Sequence, residues 1–203
     1  THPGEYRVLT EIKNWTKSLN IDVEIRDDDR FMCGIDEFAE WEQKFKQPRM
    51  EFFYRYMRLK HNILMTNHKP IGGKWNYDND NRKPANNSIK PNKIFKVKPD
   101  KITQEVIQLV SDTFSDHFGD VEPFYFAVTR QDALKCLQHF IENNLSNFGD
   151  YQDVMLEGEP WMYHSHLSQY INIGLLTPKE CIVAAEQRSE ERRVGKECLR
   201  LCR

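Results

Sequence analysis

The sequence predicts a mainly α-helical chain in which the end of a doubly wound α/β domain leads, through a long linker, into the first part of an all-helical domain. Three observations predict it. Helical spacing over residues 4–19 is followed at once by strict alternation over 21–25, the helix-then-strand succession of a doubly wound α/β unit. Periodicity then vanishes from Thr66 to Lys101. After residue 103 the apolar repeats have helical spacing and no stretch alternates as a strand would.

Each element has a local reason. In 4–19 the apolar positions Val8, Ile12, Trp15 and Leu19 fall on one helical face, and Asn20 stops the helix. Ile21-Asp22-Val23-Glu24-Ile25 predicts a strand. One helix–strand unit cannot bury both faces of a sheet, so residues 1–30 read as the last piece of an α/β domain. Ile35 to Phe45 predicts a helix with Phe38, Trp41 and Phe45 on one side; Arg49 to His61 predicts another, with Phe53 and Met57 inward and Arg55, Arg58 and Lys60 as a basic set. The stretch 66–101 carries Pro70, Pro84, Pro91 and Pro99, a Gly72–Gly73 pair and seven Asn. A connection of that length is functional or disordered. Residues 31–102 therefore form a connecting region of helix and basic loop.

In the helical part, Val106, Ile107, Val110 and Phe114 share a face, and Gly119 ends that segment. Thr129 caps the next helix with Asp132 three residues on, and Ala133, Leu134, Leu137, Phe140, Ile141 and Leu145 form its stripe. Thr177-Pro178-Lys179-Glu180 starts the last helix, with Thr177 at the N-cap, Pro178 at the first helical position and Glu180 closing a capping box.

Composition narrows the function classes. The net charge of −2 argues against a global, histone-like affinity for nucleic acid. The charge is local instead. Between 66 and 101, nine Lys and Arg face only Asp78, Asp80 and Asp100, a balance of +6, with Trp75, Tyr77 and Phe95 interleaved. Such a strip suits phosphate neutralisation and base stacking, or else a solvated crossover. There is no apolar run long enough to span a membrane and no signal-like segment, so a cytoplasmic protein is expected. The five Cys are odd in number and widely spread, which predicts reduced thiols. Phosphate-binding loops, zinc spacings and nucleophile elbows are absent, and nothing places the Glu157 and Glu159 carboxylates in a cleft.

The candidate site lies in 148–180. Polar side chains of His164, Ser165, His166 and Ser168 interrupt a run whose other members (Leu167, Ile171, Ile173, Leu175 and Leu176) are apolar. Ser165 and Ser168, three apart at a helix start, would point the same way and serve two phosphate oxygens, or simply cap a buried helix. His164 and His166, two apart, would face opposite ways on a helix, which argues against a shared metal. Cys198 and Cys202 have a metal-like spacing, but an iron–sulfur cluster needs more thiolates than these, and Cys33, Cys136 and Cys181 have no companion spacing.

Tyr151, followed thirteen residues later by His164-Ser165-x-Leu167-Ser168 and then by Gly174-Leu175-Leu176-Thr177-Pro178, resembles the start of the flavin-binding helical domain of photolyases and cryptochromes. His164 stands where that family usually has Thr. Arg49-Met50-Glu51-Phe52-Phe53-Tyr54-Arg55-Tyr56-Met57-Arg58, then Gly72-Gly73-Lys74-Trp75-Asn76-Tyr77-Asp78, Asn81-Arg82-Lys83-Pro84 and Phe148-Gly149-Asp150-Tyr151-Gln152-Asp153, resemble the prokaryotic branch that carries an iron–sulfur cluster. The likeness covers about residues 2–187.

The resemblance implies an antenna-domain end at 1–30, an interdomain connection at 31–102 and the N-terminal part of the FAD-binding domain at 103–187. It implies FAD contacts from Tyr151, His164, Ser165, Leu167, Ser168 and Tyr170, and DNA-backbone contacts from Lys74, Arg82 and Lys83. The whole protein is then expected to be a monomeric DNA photolyase that uses light-driven electron transfer from reduced FAD on pyrimidine lesions of UV-damaged DNA. A lumazine-type antenna pigment and a 4Fe-4S cluster are expected in it, neither held by this segment. This chain alone is expected to bind FAD weakly or not at all. A blue-light photoreceptor without repair, and a nucleic-acid-binding module without flavin, are the alternatives. Residues 188–203 depart from the family after Gln187 and read as a frame error or junction, or as a divergent native helix.

Overall fold

The computed structural model describes residues 5–19, 21–77, 83–86 and 89–192. Its first helices are α1 (Tyr6–Ser18), α2 (Ile35–Glu42) and α3 (Met50–His61). A short antiparallel hairpin comes next, β1 (Met65–Thr66) against β2 (Lys69–Pro70), with Met65 opposite Pro70. Then come α4 (Lys101–Thr113), α5 (Arg130–His139), a π-helical turn over Phe140–Asn144, α6 (Leu145–Phe148), α7 (Ser168–Asn172) and α8 (Pro178–Arg192). The chain is thus mainly α.

One predicted element is corrected. Residues 21–25 form no strand. Ile21 and Val23 are 67% and 41% exposed, and the hairpin is the only sheet among the described residues. Alternation alone does not make a strand; a partner must take up its backbone groups, and none lies beside it among the described residues.

Local chemistry sets the helix ends. Asp100 Oδ1 accepts from the Thr103 amide at 2.7 Å, so α4 starts at Lys101, two residues before the first predicted position. Thr129 Oγ1 accepts from the Asp132 amide at 3.2 Å and caps α5 as the sequence predicts. At α8 the capping box closes both ways. The Glu180 amide donates to Thr177 Oγ1 at 3.3 Å, and the Thr177 amide donates to Glu180 Oε2 at 2.9 Å. Gly174, at φ +78°, ends α7 and lets the Leu175 amide fold back to the Tyr170 carbonyl at 2.8 Å.

The core joins both halves of the described chain. Tyr54, Ile63 and Leu64 pack with Ala133, Leu137, Phe140, Leu167, Tyr170, Leu176, Ile182 and Ala185. α2 and α3 interlock through rings: Trp41, only 4% exposed, lies 5.0 Å from Phe53 and 4.9 Å from Phe45. Arg58 is fully buried and ties α3 to the hairpin and the Trp75 loop, donating to the carbonyls of Ile63, Leu64 and Trp75 at 3.1, 2.7 and 3.2 Å.

The connection after the hairpin is partly bound to the helical part. Asn92 Nδ2 donates to the Asn143 carbonyl at 2.6 Å and to Asn144 Oδ1 at 3.1 Å. His139 Nε2 bonds the Lys93 carbonyl at 3.0 Å, Tyr163 Oη donates to the Lys90 carbonyl at 3.2 Å, and the Val97 amide donates to the Tyr125 carbonyl at 3.0 Å. Residues 89–97 are therefore a strap laid across the helices.

Candidate functional site

The strap creates a groove. It is lined by Ile94 and Phe95 of the strap, by Tyr125 and Phe126, by Cys136, His139, Phe140 and Asn144 of α5 and its π-helical turn, and by residues of the segment from Trp161 to Tyr170. About 420 Å³ of space lies along it, counted together with the open solvent that it faces. The π-helical turn matters here: it keeps one helical stripe running from Ala133 to Leu145 while turning Asn144 inward, 3% exposed, to receive the strap.

The wall from 161 to 170 is held at both ends. Leu167, 2% exposed, is sunk in the core, and the Tyr170 hydroxyl accepts from the Ala127 amide at 3.1 Å and from the Cys136 thiol at 3.6 Å. Burial pushes the Tyr170 phenol and the Cys136 thiol above their ordinary values, so both stay protonated near neutrality. Between these anchors His166 takes a left-handed backbone, φ +53°. Its ring stands edge-on to Trp161 at 4.9 Å, and the His164 ring lies 6.4 Å away. Burial, and secondarily His164, lowers the His166 pKa, so the ring is neutral at pH 7.

The groove collects three of the six residues expected to meet a flavin: His164 at the exposed rim, Ser165 half-buried, and Tyr170 buried behind. Leu167 anchors the loop from the core. Tyr151 packs on Tyr163, rings 5.8 Å apart, in a satellite cluster with Ile89, Val154 and Met162. Ser168 is exposed at the first position of α7. The helical premise behind the serine pair is corrected: α7 begins at Ser168, and the left-handed turn at His166 breaks the chain between the two hydroxyls. For the same reason His164 and His166 share the groove instead of facing opposite ways.

Sequence reasoning missed the aromatic walls. Tyr125 and Trp161, rings 6.1 Å apart, and Phe95 line the groove. Of these only Phe95 gave a signal, as an aromatic residue among lysines. Among the described residues, no Lys, Arg, Asp or Glu lines the groove. The described residues contain no group of three or more His, Cys, Asp or Glu able to hold a metal; Cys198 and Cys202 lie outside them.

Of the expected DNA contacts, Lys74 is exposed with its Nζ 5.7 Å from the Tyr77 ring centre. Lys83 pairs with Asp150 at 2.5 Å, and Arg82 lies outside the described residues. Lys90, Lys93, Lys96 and Lys98 are exposed along the strap, with Lys96 Nζ 5.0 Å from the Tyr125 ring centre. The predicted tail falls mostly outside the described residues as well, α8 being described to Arg192. No described helix is long and apolar enough to cross a membrane.

Comparison with known proteins gives this groove a context. The family model "deoxyribodipyrimidine photo-lyase-related protein" matches residues 1–126. A (6-4) photolyase of Agrobacterium fabrum is 46% identical over 191 residues, covering 94% of this chain and 38% of that protein. Protein R852 of Acanthamoeba polyphaga mimivirus is 51% identical over 43 residues, 21% of this chain and 19% of its own length. The chain thus spans well under half of each relative. Matched over most of its length by that family model, and over nearly all of it by the Agrobacterium protein, the chain belongs to the family of deoxyribodipyrimidine photo-lyase-related proteins.

Proposed function

We propose that this chain is part of a flavin-dependent DNA photolyase and that its groove is one wall of the FAD site. The observation that carries the reading is the coincidence of residues: His164, Ser165 and Tyr170, expected on sequence grounds to meet a flavin, converge on a groove with aromatic sides and no carboxylate among its described lining residues to repel a dinucleotide. A buried polar atom there, His166 Nε2, has no hydrogen-bond partner among the described residues. A hydroxyl and imidazoles can hydrogen-bond phosphate and ribityl oxygens, and aromatic rings can pack on an isoalloxazine, so the residues are compatible with the group.

When bound and reduced, FAD supplies the light-driven electron that splits a pyrimidine lesion; the substrate is UV-damaged DNA, with the (6-4) photoproduct favoured by the relative's name. The protein's own residues bind, orient and exclude water. Ser165 offers a hydroxyl to the ribityl–pyrophosphate chain, and His164 closes the rim. Tyr170 holds its wall through Ala127 and Cys136. Leu167 fixes the loop in the core, and Tyr151 and Ser168 are outer contacts. Phe95, Tyr125 and Trp161 keep the mouth dry, which strengthens each polar contact inside. Lys74, Arg82 and Lys83 neutralise DNA phosphates, Lys83 by giving up Asp150. Their contacts offset part of the cost of unstacking the damaged base. The antenna pigment and the 4Fe-4S cluster belong to other parts of the whole protein, which acts as a cytoplasmic monomer.

The test is direct. The whole protein, purified, should be yellow with flavin absorption and should remove (6-4) photoproducts from irradiated DNA only in near-ultraviolet or blue light. A flavoprotein that responds to light but leaves lesions intact would replace repair with photoreception. A colourless protein that cannot be reconstituted with FAD would overturn the flavin reading.

A further inference from the structure

Asn144 is a buried polar side chain that its helix does not require. It is 3% exposed and closes the π-helical turn Phe140–Asn144 between α5 and α6. Such turns are rare in helices and recur at functional sites. The Asn144 carboxamide takes its hydrogen bond from the strap: Asn92 Nδ2 donates to Asn144 Oδ1 at 3.1 Å and to the Asn143 carbonyl at 2.6 Å. The strap itself rests on hydrogen bonds more than on packing. From Lys90 to Val97 no residue is buried and no helix or strand forms; Ile89, 8% exposed, anchors the start of the strap in the satellite cluster with Val154 and Met162. Further ties are single hydrogen bonds, from Tyr163 to the Lys90 carbonyl, between His139 and the Lys93 carbonyl, and from the Val97 amide to the Tyr125 carbonyl. A segment held in this way opens at much lower cost than a core element. Its partners His139, Asn144 and Tyr125 all line the groove, so opening the strap opens the groove.

We propose that Asn92 and Asn144 latch the strap as a gate over the groove, so that the bound cofactor enters and leaves when the strap opens. This rests on the flavin reading above and goes beyond it, from what the groove holds to how it is loaded. In this role Asn144 is a positioning residue, acting through Asn92 on Ile94 and Phe95, the strap residues that line the groove. The latch lies two residues before that pair, so its release frees both while Ile89 stays anchored. A gate has a kinetic signature. Exchange scales with the fraction of time the strap is open, so a weaker latch speeds association and release alike and leaves affinity nearly unchanged. Loss of a simple wall contact speeds release alone.

The test uses the whole flavoprotein, stripped of FAD. FAD association is followed by stopped-flow flavin fluorescence, and FAD release after dilution. Wild type, Asn92→Ala, Asn92→Gln, Asn144→Ala and Ser146→Ala are compared, the last an exposed position on α6 outside the groove. Asn92 is exposed as well, so its variants should keep the wild-type thermal midpoint. Asn92→Ala should raise both rates about tenfold, the change in open fraction expected when two neutral hydrogen bonds are lost, with a dissociation constant changed by less than about threefold. Asn144→Ala, which leaves Asn92 the Asn143 carbonyl, should raise both rates by less. Asn92→Gln, which restores a donor, should fall between Asn92→Ala and wild type, and Ser146→Ala should match wild type. In the FAD-free protein, amides of residues 90–97 should exchange with deuterium faster in Asn92→Ala than in wild type. An association rate in Asn92→Ala within about twofold of wild type, whether or not release is faster, would overturn the gate while leaving the flavin reading intact; so would unchanged exchange of the strap amides. Failure of wild type itself to bind FAD would overturn both.

Discussion

Arg58 offers a sharp test of how the helical core is tied together. Its guanidinium is fully buried among polar acceptors of the backbone: the carbonyls of Ile63, Leu64 and Trp75, at 3.1, 2.7 and 3.2 Å. It also lies 5.5 Å from the ring centres of Tyr54 and Trp75. Arg58→Ala removes three charge-assisted hydrogen bonds to backbone carbonyls, at about 1 kcal/mol each, although the Leu64 carbonyl keeps the Ile71 amide at 2.9 Å. Loss of the contacts with the two rings adds about 1 kcal/mol. The sum, about 4 kcal/mol, is a large share of an ordinary stability of about 5–15 kcal/mol. In urea the midpoint should fall by about 2 M at unchanged slope, for a slope of about 2 kcal/mol/M. Arg58→Lys should recover less than half of the loss, since one ammonium cannot reproduce the planar fork that reaches separate carbonyls. A loss under about 1 kcal/mol for Arg58→Ala would refute the assignment of Arg58 as the tie between α3, the hairpin and the Trp75 loop.

Two further outcomes are expected. Arg130, helped by Thr177 and opposed by burial, holds the Glu180 carboxyl at about 2, below its ordinary 4.5. Burial pushes Glu37 up, but hydrogen bonds from Lys60, Tyr56 and Cys33 outweigh it and hold that carboxyl at about 2 as well. A depressed pKa stabilises above the unfolded value and loses that contribution as pH falls through the folded one, so both act fully above pH 4.5 and fade toward pH 2. Glu180→Gln and Glu37→Gln should each flatten the acid side of the stability–pH curve in that window; acid slopes identical to wild type would contradict the pairings. Among the serines, Ser165→Ala should weaken FAD binding by about tenfold and exposed Ser168→Ala by less, measured by flavin fluorescence; the reverse order would contradict the groove geometry.

Legibility in the sequence tracks range along the chain. The caps at Thr129 and at Thr177–Glu180 were readable because donor and acceptor lie three residues apart, within the reach of a motif. The absence of a strand at 21–25 was not, since alternation states only which face each side chain takes and not whether a neighbouring strand exists. The strap was equally hidden. Asn92 meets Asn144 and His139 meets Lys93 across separations of 52 and 46 residues, and Lys- and Pro-rich sequence carries no period to announce such contacts. At the site, residue types were legible and their geometry was not. Helical spacing set Ser165 beside Ser168, whereas one left-handed residue, His166, separates them and instead brings both histidines to the groove. Arg58, grouped by sequence with Arg55 and Lys60 as a basic set, is buried instead, where it donates to the Ile63 and Leu64 carbonyls of the turn after α3.

The central claim is that Ile94 and Phe95 of the strap and the 161–170 segment wall a flavin. Hydrogen–deuterium exchange of the whole protein, with FAD bound and after FAD removal, addresses it most directly. The account predicts that amides of the strap and of the 161–170 segment are protected by FAD, while those of α2 and α3 exchange alike in both states. Protection confined to other peptides, with these two segments unchanged, would contradict it.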